Sequence, residues 1–225
     1  MTHRAIAIDG PSGAGKSTLA RRLAGQLGFR YVDTGAIYRT VGLAALESGV
    51  DPQDAEAVAA LLPQVSVTMD YDGDGLQRMH LNGRDVTEDI RRHDVSAAAS
   101  QVAAIPAVRD FLLAAQRSAA QRHDVVMDGR DIGTVVLPRA DVKIYLTAAP
   151  ADRAARRYRE LLERGQQAVY EKVLSDVLER DARDTQRSVA PLRQAEDALR
   201  VDTTGLSLEE STALLLKTVK EALSL

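Results

Sequence analysis

Short apolar runs alternate with longer stretches of helical periodicity along most of the chain. Five runs have the length and composition of buried strands: 5–9, 29–32, 125–128, 142–146 and 199–202. Helical spacing of apolar residues fills the intervals: 17–27, 36–47, 55–62, 95–104, 107–121, 151–164, 170–184 and 207–223. Strands that alternate with helices form parallel sheets covered on both faces. The pattern therefore predicts an α/β fold with about five parallel strands and helices on both faces.

One segment departs from this pattern. Residues 65–69 alternate apolar and polar side chains, 72–75 read Asp-Gly-Asp-Gly, and 79–81 resume the alternation, which predicts a β-hairpin. The same region is acidic: between Glu47 and Ile90, ten acidic residues face two basic ones. We expect a small inserted antiparallel subdomain at about 63–92, within a single domain that spans 1–225.

Composition narrows the classes of protein. The absence of cysteine among 225 residues excludes disulfides, thiol catalysis and Cys-based zinc sites. No run approaches the ~20 apolar residues of a membrane span and the N-terminus lacks a signal-like stretch, so we expect a cytoplasmic protein with no membrane partner. The net charge of −3 argues against a broad nucleic-acid-binding surface. Of the 29 basic residues 24 are arginine. This excess is explained by codon bias or by recognition of phosphate, which suits the planar guanidinium group.

A glycine-rich motif joins the first predicted strand to the first helix. Residues 10–17 read Gly-Pro-Ser-Gly-Ala-Gly-Lys-Ser and match G-x-x-x-x-G-K-[ST]. The glycines let backbone N–H groups point inward around a phosphate, and the helix adds its positive N-terminal end. We expect Lys16 to reach the β- and γ-phosphates and the Ser17 hydroxyl to join a Mg²⁺ shell. The motif predicts binding of a nucleoside triphosphate.

Two further segments follow predicted strands and suit a second, anionic substrate. The chain lacks the Asn-Lys-x-Asp of switch GTPases, and its 125–128 strand continues with Gly rather than the Glu typical of motor ATPases. Instead, Thr34 and Arg39 follow one strand, and Arg130 and Asp131 follow another. Ligands of open α/β sheets bind outside the carboxyl ends of strands, which favours a small-molecule kinase. Taken singly, each arginine is also compatible with a surface salt bridge.

Arg180, Asp184 and Arg187 fall on one face of a helix that continues past residue 184. A solvated i, i+4 ion pair explains the first two equally well. We expect three apolar residues at other angles to anchor this helix: Val173, Val177 and Leu178.

The preceding helix carries arginines that suit a lid. Arg153, Arg157 and Arg164 share one face, with Arg156 to one side. Such a helix near a phosphate loop can close over the triphosphate, although a solvated helix face shows the same pattern.

Together these segments resemble the bacterial cytidylate (CMP/dCMP) kinase family. The resemblance runs in order through most of the chain: 8–18 (IDGPSGAGKST), 33–39 (DTGAIYR), 99–103 (ASQVA), 128–136 (DGRDIGTVV), 180–184 (RDARD), 189–192 (VAPL) and 202–204 (DTT). It implies an adenylate-kinase-like P-loop core, an inserted antiparallel sheet beside the monophosphate site, and a short helical lid with flanking helices at about 151–187. It also implies transfer of a phosphoryl group from ATP, with Mg²⁺, to CMP or dCMP.

The family resemblance implies the following site residues. Those for ATP are Gly10, Pro11, Ser12, Gly13, Ala14, Gly15, Lys16, Ser17, Thr18 and Arg156, with Ser17 as the metal ligand. Those for the acceptor are Thr34, Arg39, Ser100, Arg109, Arg130, Asp131, Arg180, Asp184 and Arg187. Within this set, Arg39 and Arg130 are implied to hold the monophosphate, and Ser100, Arg109 and Arg187 to read cytosine. Arg180 and Asp184 are implied to contact the ribose or neighbouring groups. Catalysis is assigned to Lys16, Arg130, Arg153 and Arg157.

Alternatives stay open at this stage. A kinase for UMP, AMP or a non-nucleotide metabolite shares most of these features, and a nucleotide-sensing regulator would bind ATP without transfer. A nucleic-acid-dependent ATPase is disfavoured by the charge and by an aromatic content of 4%. The sequence does not fix the preference between CMP and dCMP. We expect a monomer.

Overall fold

The computed structural model describes residues 3–163 and 165–225. Within these residues the strands are β1 (Ala5–Asp9), β2 (Arg30–Asp33), β3 (Val67–Tyr71), β4 (Gln77–Leu81), β5 (Arg84–Asp85), β6 (Val125–Gly129), β7 (Val142–Thr147) and β8 (Leu199–Asp202). The α-helices are α1 (Lys16–Leu27), α2 (Thr34–Glu47), α3 (Ala55–Leu61), α4 (His93–Val102), α5 (Pro106–Arg122), α6 (Pro150–Glu163), α7 (Tyr170–Gln186) and α8 (Leu208–Leu223). Two 3₁₀ turns (Leu62–Gln64 and Asp89–Arg91) and one π-helical turn (Ile132–Val136) complete the set.

Five strands form a parallel sheet in the order β2-β6-β1-β7-β8, which confirms the predicted fold class. Its centre, β1 and β6, is fully buried, as expected of strands covered on both faces. Helices α1 and α8 pack on one face through Leu23 and Leu215, and α5 packs on the other through Ala119. Because all five strands run the same way, their carboxyl ends meet at one edge.

The inserted segment forms a second, antiparallel sheet in the order β3-β4-β5. The hairpin is confirmed, with Met69 opposite Met79, while the third short strand escaped the sequence pattern. Met79 and Leu81 are buried against Ile37 of α2 and Val95 of α4. The insert therefore shares a core with helices that border the main sheet.

Helix α7 differs from its prediction in two ways. It ends at Gln186, and Arg187 has extended backbone angles (φ −60°, ψ 140°), so Arg187 does not continue the helical face. Val173 and Val177 are buried as expected, but Leu178 is 48% exposed. Leu178 lies one residue, about 100°, away from Val177 and outside the narrow stripe that packs on α6. Arg164 lies outside the described residues.

None of the individual helices in the described part of the chain has both the length and the apolar character that crossing a membrane requires.

The turn that leaves β1 has room only for glycine. A Cβ added to Gly10 would lie 1.9 Å from the carbonyl oxygen of Leu146 in β7, whereas one added to Gly25 in α1 meets nothing within 4 Å. We expect Gly10→Ala to lower the free energy of unfolding by about 2 kcal/mol or more. Gly25→Ala, the matched control, should raise it by about 0.5–1 kcal/mol. Urea denaturation of both variants measures this, and a Gly10→Ala variant as stable as wild type would contradict the packing described.

Candidate active site

A cleft of about 740 Å³ opens where β1, β2 and β6 end. It brings together most residues that the sequence singled out: Ser12, Gly13, Gly15, Lys16, Ser17, Thr18, Thr34, Arg39, Ser100, Arg109, Arg130, Asp131, Arg156, Arg157, Arg180, Asp184 and Arg187. Four of the expected residues do not line it: Gly10, Pro11, Ala14 and Arg153. Asp33, Tyr38, Asp128, Arg159 and Glu160 line it without having been assigned a role.

The phosphate loop forms one end of the cleft. Gly13 (φ 75°) and Gly15 (φ 84°) adopt left-handed backbone conformations that favour glycine, and α1 begins directly after Gly15. Lys16 is buried, and its Nζ donates to the carbonyl oxygen of Pro11 at 2.7 Å. Burial, reinforced by the nearby Arg130 charge, holds the pKa of Lys16 well below its ordinary value. An anion bound in this loop would stabilise the charged form of that lysine.

Asp128, near the end of β6, connects the loop to two neighbouring segments. Its carboxylate accepts hydrogen bonds from the Ser17 hydroxyl (3.0 Å) and the Tyr31 hydroxyl (2.7 Å), and its carbonyl oxygen accepts one from Thr34 (2.7 Å). Burial, and then the neighbouring charge of Asp33, raise the pKa of Asp128 to about 6. The Ser17 hydroxyl and the Asp128 carboxylate together present the hard oxygen ligands that Mg²⁺ prefers.

Asp33 and Arg39 form an ion pair at the start of α2. Asp33 accepts from Arg39 Nη2 at 2.8 Å with one carboxylate oxygen and from the Ala36 backbone N–H at 2.9 Å with the other. A Cβ on Gly35 would lie 3.0 Å from the Asp33 carboxylate and 3.1 Å from the Arg39 guanidinium. The absence of a side chain at Gly35 thus allows Arg39 to fold back over the helix start.

A second carboxylate holds two arginines at the far end of the cleft. Asp131 accepts from the guanidinium of Arg109 and from Arg187 Nη2, the latter at 3.3 Å. Arg109 is almost fully buried and lies over the ring of Tyr38, 5.6 Å from its centroid. The sequence does not single out Tyr38, because its spacing in α2 is also that of an ordinary core residue. Its cation–ring contact with Arg109 becomes visible only in the structure.

Arg130 and Arg180 complete this arginine-rich end. Arg130 Nε donates to Asp184 at 2.7 Å, and this interaction keeps the pKa of Asp184 below its ordinary value although burial alone would raise it. Burial, and then the Arg130 charge, lower the pKa of Arg180 to about 10, although Asp184 opposes this. The buried Nε of Arg180 has no hydrogen-bond partner among the described residues. This end therefore keeps an unsatisfied donor and excess positive charge.

Arg153 occupies a different place from the one expected of a lid arginine. Its side chain is 3% exposed and donates to the carbonyl oxygen of Ser12 (2.8 Å) and to Asp181 of α7 (3.0 Å). Its helical position faces the phosphate loop's backbone, not the cleft, because α6 packs directly on Gly13, whose added Cβ would lie 3.2 Å from the Cβ of Arg153.

The other expected residues of the α6–α7 region border the cleft. Arg156 Nη2 donates to the carbonyl oxygen of Thr203 at 2.8 Å, and Arg157 Nη1 donates to Glu160 at 2.9 Å. Ser100 also borders the cleft, although it belongs to α4; its Oγ lies 3.5 Å from Arg183 Nη1 of α7.

Asp9, the last residue of β1, holds the segment that follows β6. Its two carboxylate oxygens accept the backbone N–H groups of Ile132 (2.7 Å) and Gly133 (2.8 Å). Burial raises the pKa of Asp9 to about 6, although these two hydrogen bonds lower it. An acidic residue closing an apolar strand was the only signal in the sequence, and it does not reveal the partner.

Comparison with known proteins settles the family. The cytidylate kinase family model matches residues 6–221. The chain belongs to the cytidylate kinase family. A cytidylate kinase of Carboxydothermus hydrogenoformans is 51% identical over 95% of this chain and 96% of its own length. One from Mycobacterium leprae is 47% identical over 98% of this chain and 97% of its own.

A solved structure shares the fold of this cytidylate kinase family member. An uncharacterized protein from Eubacterium ventriosum superposes with a TM-score of 0.53 at 13% identity, over 97% of this chain and 99% of that one. At that identity the likeness concerns the fold alone.

The raised pKa values of Asp9 and Asp128 predict a specific pH dependence of stability. Both carboxyls have folded-state pKa values of about 6, above the ordinary 3.8, so between pH 4 and 6 these two groups bind more protons in the folded protein than in the unfolded chain. Their contribution to the free energy of unfolding therefore falls as pH rises through this window, by at most about 1.4 kcal/mol per pH unit for each group. We expect Asp128→Asn to make that decline shallower.

Urea denaturation at pH 4.5, 5.5 and 6.5 gives the slope of the free energy of unfolding against pH for wild type and for the variant. The contributions of the other titrating groups are common to both proteins and cancel in the difference between the two slopes. Identical slopes for the two proteins would show that Asp128 titrates normally.

Proposed function

We propose that this protein transfers the γ-phosphoryl group of ATP to CMP or dCMP, giving ADP and CDP or dCDP. The observation that carries the proposal is a single cleft with a phosphate loop at one end and arginine–carboxylate pairs at the other. Family membership supports the same reaction. A donor and an acceptor, both anionic, fit opposite ends of such a cleft.

The donor end suits ATP and Mg²⁺. The backbone N–H groups of residues 12–17, Lys16 and the N-terminus of α1 are suited to the β- and γ-phosphates, while Arg156 and the segment 206–208 border the space beyond them. Ser17 and Asp128 would hold Mg²⁺. When bound, the ion neutralises charge on the β- and γ-phosphates.

The acceptor end suits a nucleoside monophosphate. The guanidinium groups of Arg39 and Arg130 bind the phosphate through paired hydrogen bonds. Arg180 and Asp184 contact the sugar. Arg109 and Arg187, with Ser100, face the base.

Guanidinium groups only donate hydrogen bonds, and cytosine presents its N3 and O2 as acceptors. Uracil carries a proton on N3, which an arginine cannot accept. Guanidinium donors of Arg109 and Arg187 that face N3 of the base therefore favour cytosine over uracil.

The chemistry needs alignment and charge neutralisation more than proton transfer. The attacking oxygen of the monophosphate is already anionic near neutral pH, so no strong general base is required. Lys16, Arg130 and Arg157 neutralise charge that develops on the transferring group. Arg153 acts indirectly in this proposal: it fixes the Ser12 carbonyl and so the course of the phosphate loop. Closure of α6 and α7 over the cleft would keep water away from the phosphoryl group.

The proposed reaction involves only small molecules and one copy of the chain, because the residues proposed to contact the two substrates line a single cleft. A monomer that acts in the cytoplasm, without nucleic acid or membrane partners, is part of the proposal.

An acceptor panel tests the function. ADP release with ATP and Mg²⁺ is measured for CMP, dCMP, UMP and AMP, on wild type and on Arg109→Ala. We expect efficient turnover with CMP or dCMP in wild type. In the variant, loss of a buried charged donor should lower kcat/KM for the cytosine substrates by about 10- to 100-fold. Preference of the wild-type enzyme for UMP or AMP, or no turnover with any of the four, would refute the proposal.

Arg39 provides a sharper test of the monophosphate site. We expect Arg39→Ala to raise the KM for CMP by about 10- to 100-fold, because a charge-assisted contact to phosphate is lost, and to leave the KM for ATP unchanged. The matched control is Arg78→Ala, which removes an insert arginine that pairs with Asp85 at 3.0 Å and does not line the cleft. Steady-state kinetics with each substrate varied gives both constants. An unchanged KM for CMP in Arg39→Ala would remove Arg39 from the site.

A further inference from the structure

Strand β2 lies at the edge of the parallel sheet, next to β6 only. The N–H of Arg30 donates inward, to the carbonyl oxygen of Asp124 at 2.8 Å. Backbone groups of a strand alternate in direction, so those of Tyr31 and Asp33 point outward, away from β6. Outward groups of an edge strand need partners or water, and here they lie under the inserted hairpin.

Gln77, the first residue of β4, satisfies both outward groups of Asp33. Its Oε1 accepts the Asp33 N–H at 2.7 Å, and its Nε2 donates to the Asp33 carbonyl oxygen at 3.3 Å. One side-chain amide thus makes the pair of bonds that a neighbouring strand would make. The opposite arrangement of the amide would set two donors against each other, so this orientation is fixed by the hydrogen bonds.

Asp33 connects this contact to the acceptor site. Its backbone is held by Gln77, and its carboxylate holds Arg39 (2.8 Å) and the first turn of α2 through Ala36 (2.9 Å). Arg39 remains partly exposed, with 26% of its side chain accessible, so the guanidinium depends on Asp33 for its orientation. A shift of the Asp33 backbone would move the carboxylate and, with it, Arg39.

We propose that Gln77 is a positioning residue for the acceptor phosphate: it fixes Asp33 and thereby Arg39. This inference rests on the proposed function, in which Arg39 binds the phosphate of CMP or dCMP. The insert thereby contributes to phosphate recognition without any of its own side chains reaching the phosphate.

A second hairpin contact supplies the control. The Tyr71 hydroxyl donates to the carbonyl oxygen of Tyr31 at 3.3 Å, and Arg30 lies over the Tyr71 ring at 5.0 Å from its centroid. Tyr71→Phe therefore removes one hydrogen bond between the same hairpin and the same edge strand. That bond is made to Tyr31, which lies two residues before Asp33. It separates general loosening of the insert from the specific effect on Asp33.

The experiment compares wild type, Gln77→Ala, Tyr71→Phe, Arg39→Ala and the double variant Arg39→Ala/Gln77→Ala. Steady-state kinetics give kcat and the KM values for CMP and ATP, and calorimetry gives the Kd for CMP without ATP. We expect Gln77→Ala to raise the KM and Kd for CMP about 3- to 10-fold, with kcat and the KM for ATP within about twofold of wild type. Tyr71→Phe should behave as wild type.

The double variant tests the route of the effect. If Gln77 acts through Arg39, adding Gln77→Ala to Arg39→Ala produces no further rise in the KM for CMP. An unchanged Gln77→Ala, an equal rise in the KM for ATP, an equal effect of Tyr71→Phe, or full additivity in the double variant would each overturn the proposal. Wild type that binds no CMP would overturn the proposed function as well, whereas normal wild type with an unaffected Gln77→Ala overturns this inference alone.

Discussion

Several arginines can lie together in a cleft only where neighbouring carboxylates offset the free-energy cost of burying their charges and of the repulsion between them. In this structure Asp131 holds Arg109 and Arg187, and Asp184 holds Arg130. These pairs fix each guanidinium before a ligand arrives. The compensation is incomplete, since the pKa of Arg180 is lowered to about 10. The remaining positive charge is what a monophosphate would neutralise, so the site is both ordered and receptive to an anion.

The carboxylates themselves are positioned by the sheet. Asp9, Asp33 and Asp128 lie at or near the ends of β1, β2 and β6, and the strand register places Asp33 opposite Asp128. Each reaches a segment other than its own strand: Asp9 accepts from the turn after β6, Asp33 from α2, and Asp128 from Ser17 of the phosphate loop. Three parallel strands that end in acids at one edge thus connect the phosphate loop, the start of α2 and the turn after β6 into one framework.

The sequence predicts the parts of this framework that depend on local pattern. Strand and helix periods, the phosphate loop and the hairpin turn are local, and the structure has them close to the expected positions. Contacts that depend on packing between distant elements escape such reasoning. Arg153 has the helical spacing of a cleft-lining arginine but is turned to Ser12 and Asp181 because α6 packs on the phosphate loop. Gln77 is an unremarkable polar residue until the hairpin is placed over Asp33.

Arg153 and Gln77 make the same kind of contact at different places in the structure. Neither side chain lines the cleft, and each binds main-chain groups of a segment that does: Arg153 at Ser12 and Gln77 at Asp33. A hydrogen bond to a main-chain group restricts the whole segment, because a closely packed strand end or glycine-rich turn has few alternative positions. The α6–α7 pair thus contacts the phosphate-loop end of the cleft, and the insert contacts the end that carries Arg39. Both ends of the cleft therefore depend on elements that the parallel sheet alone does not supply.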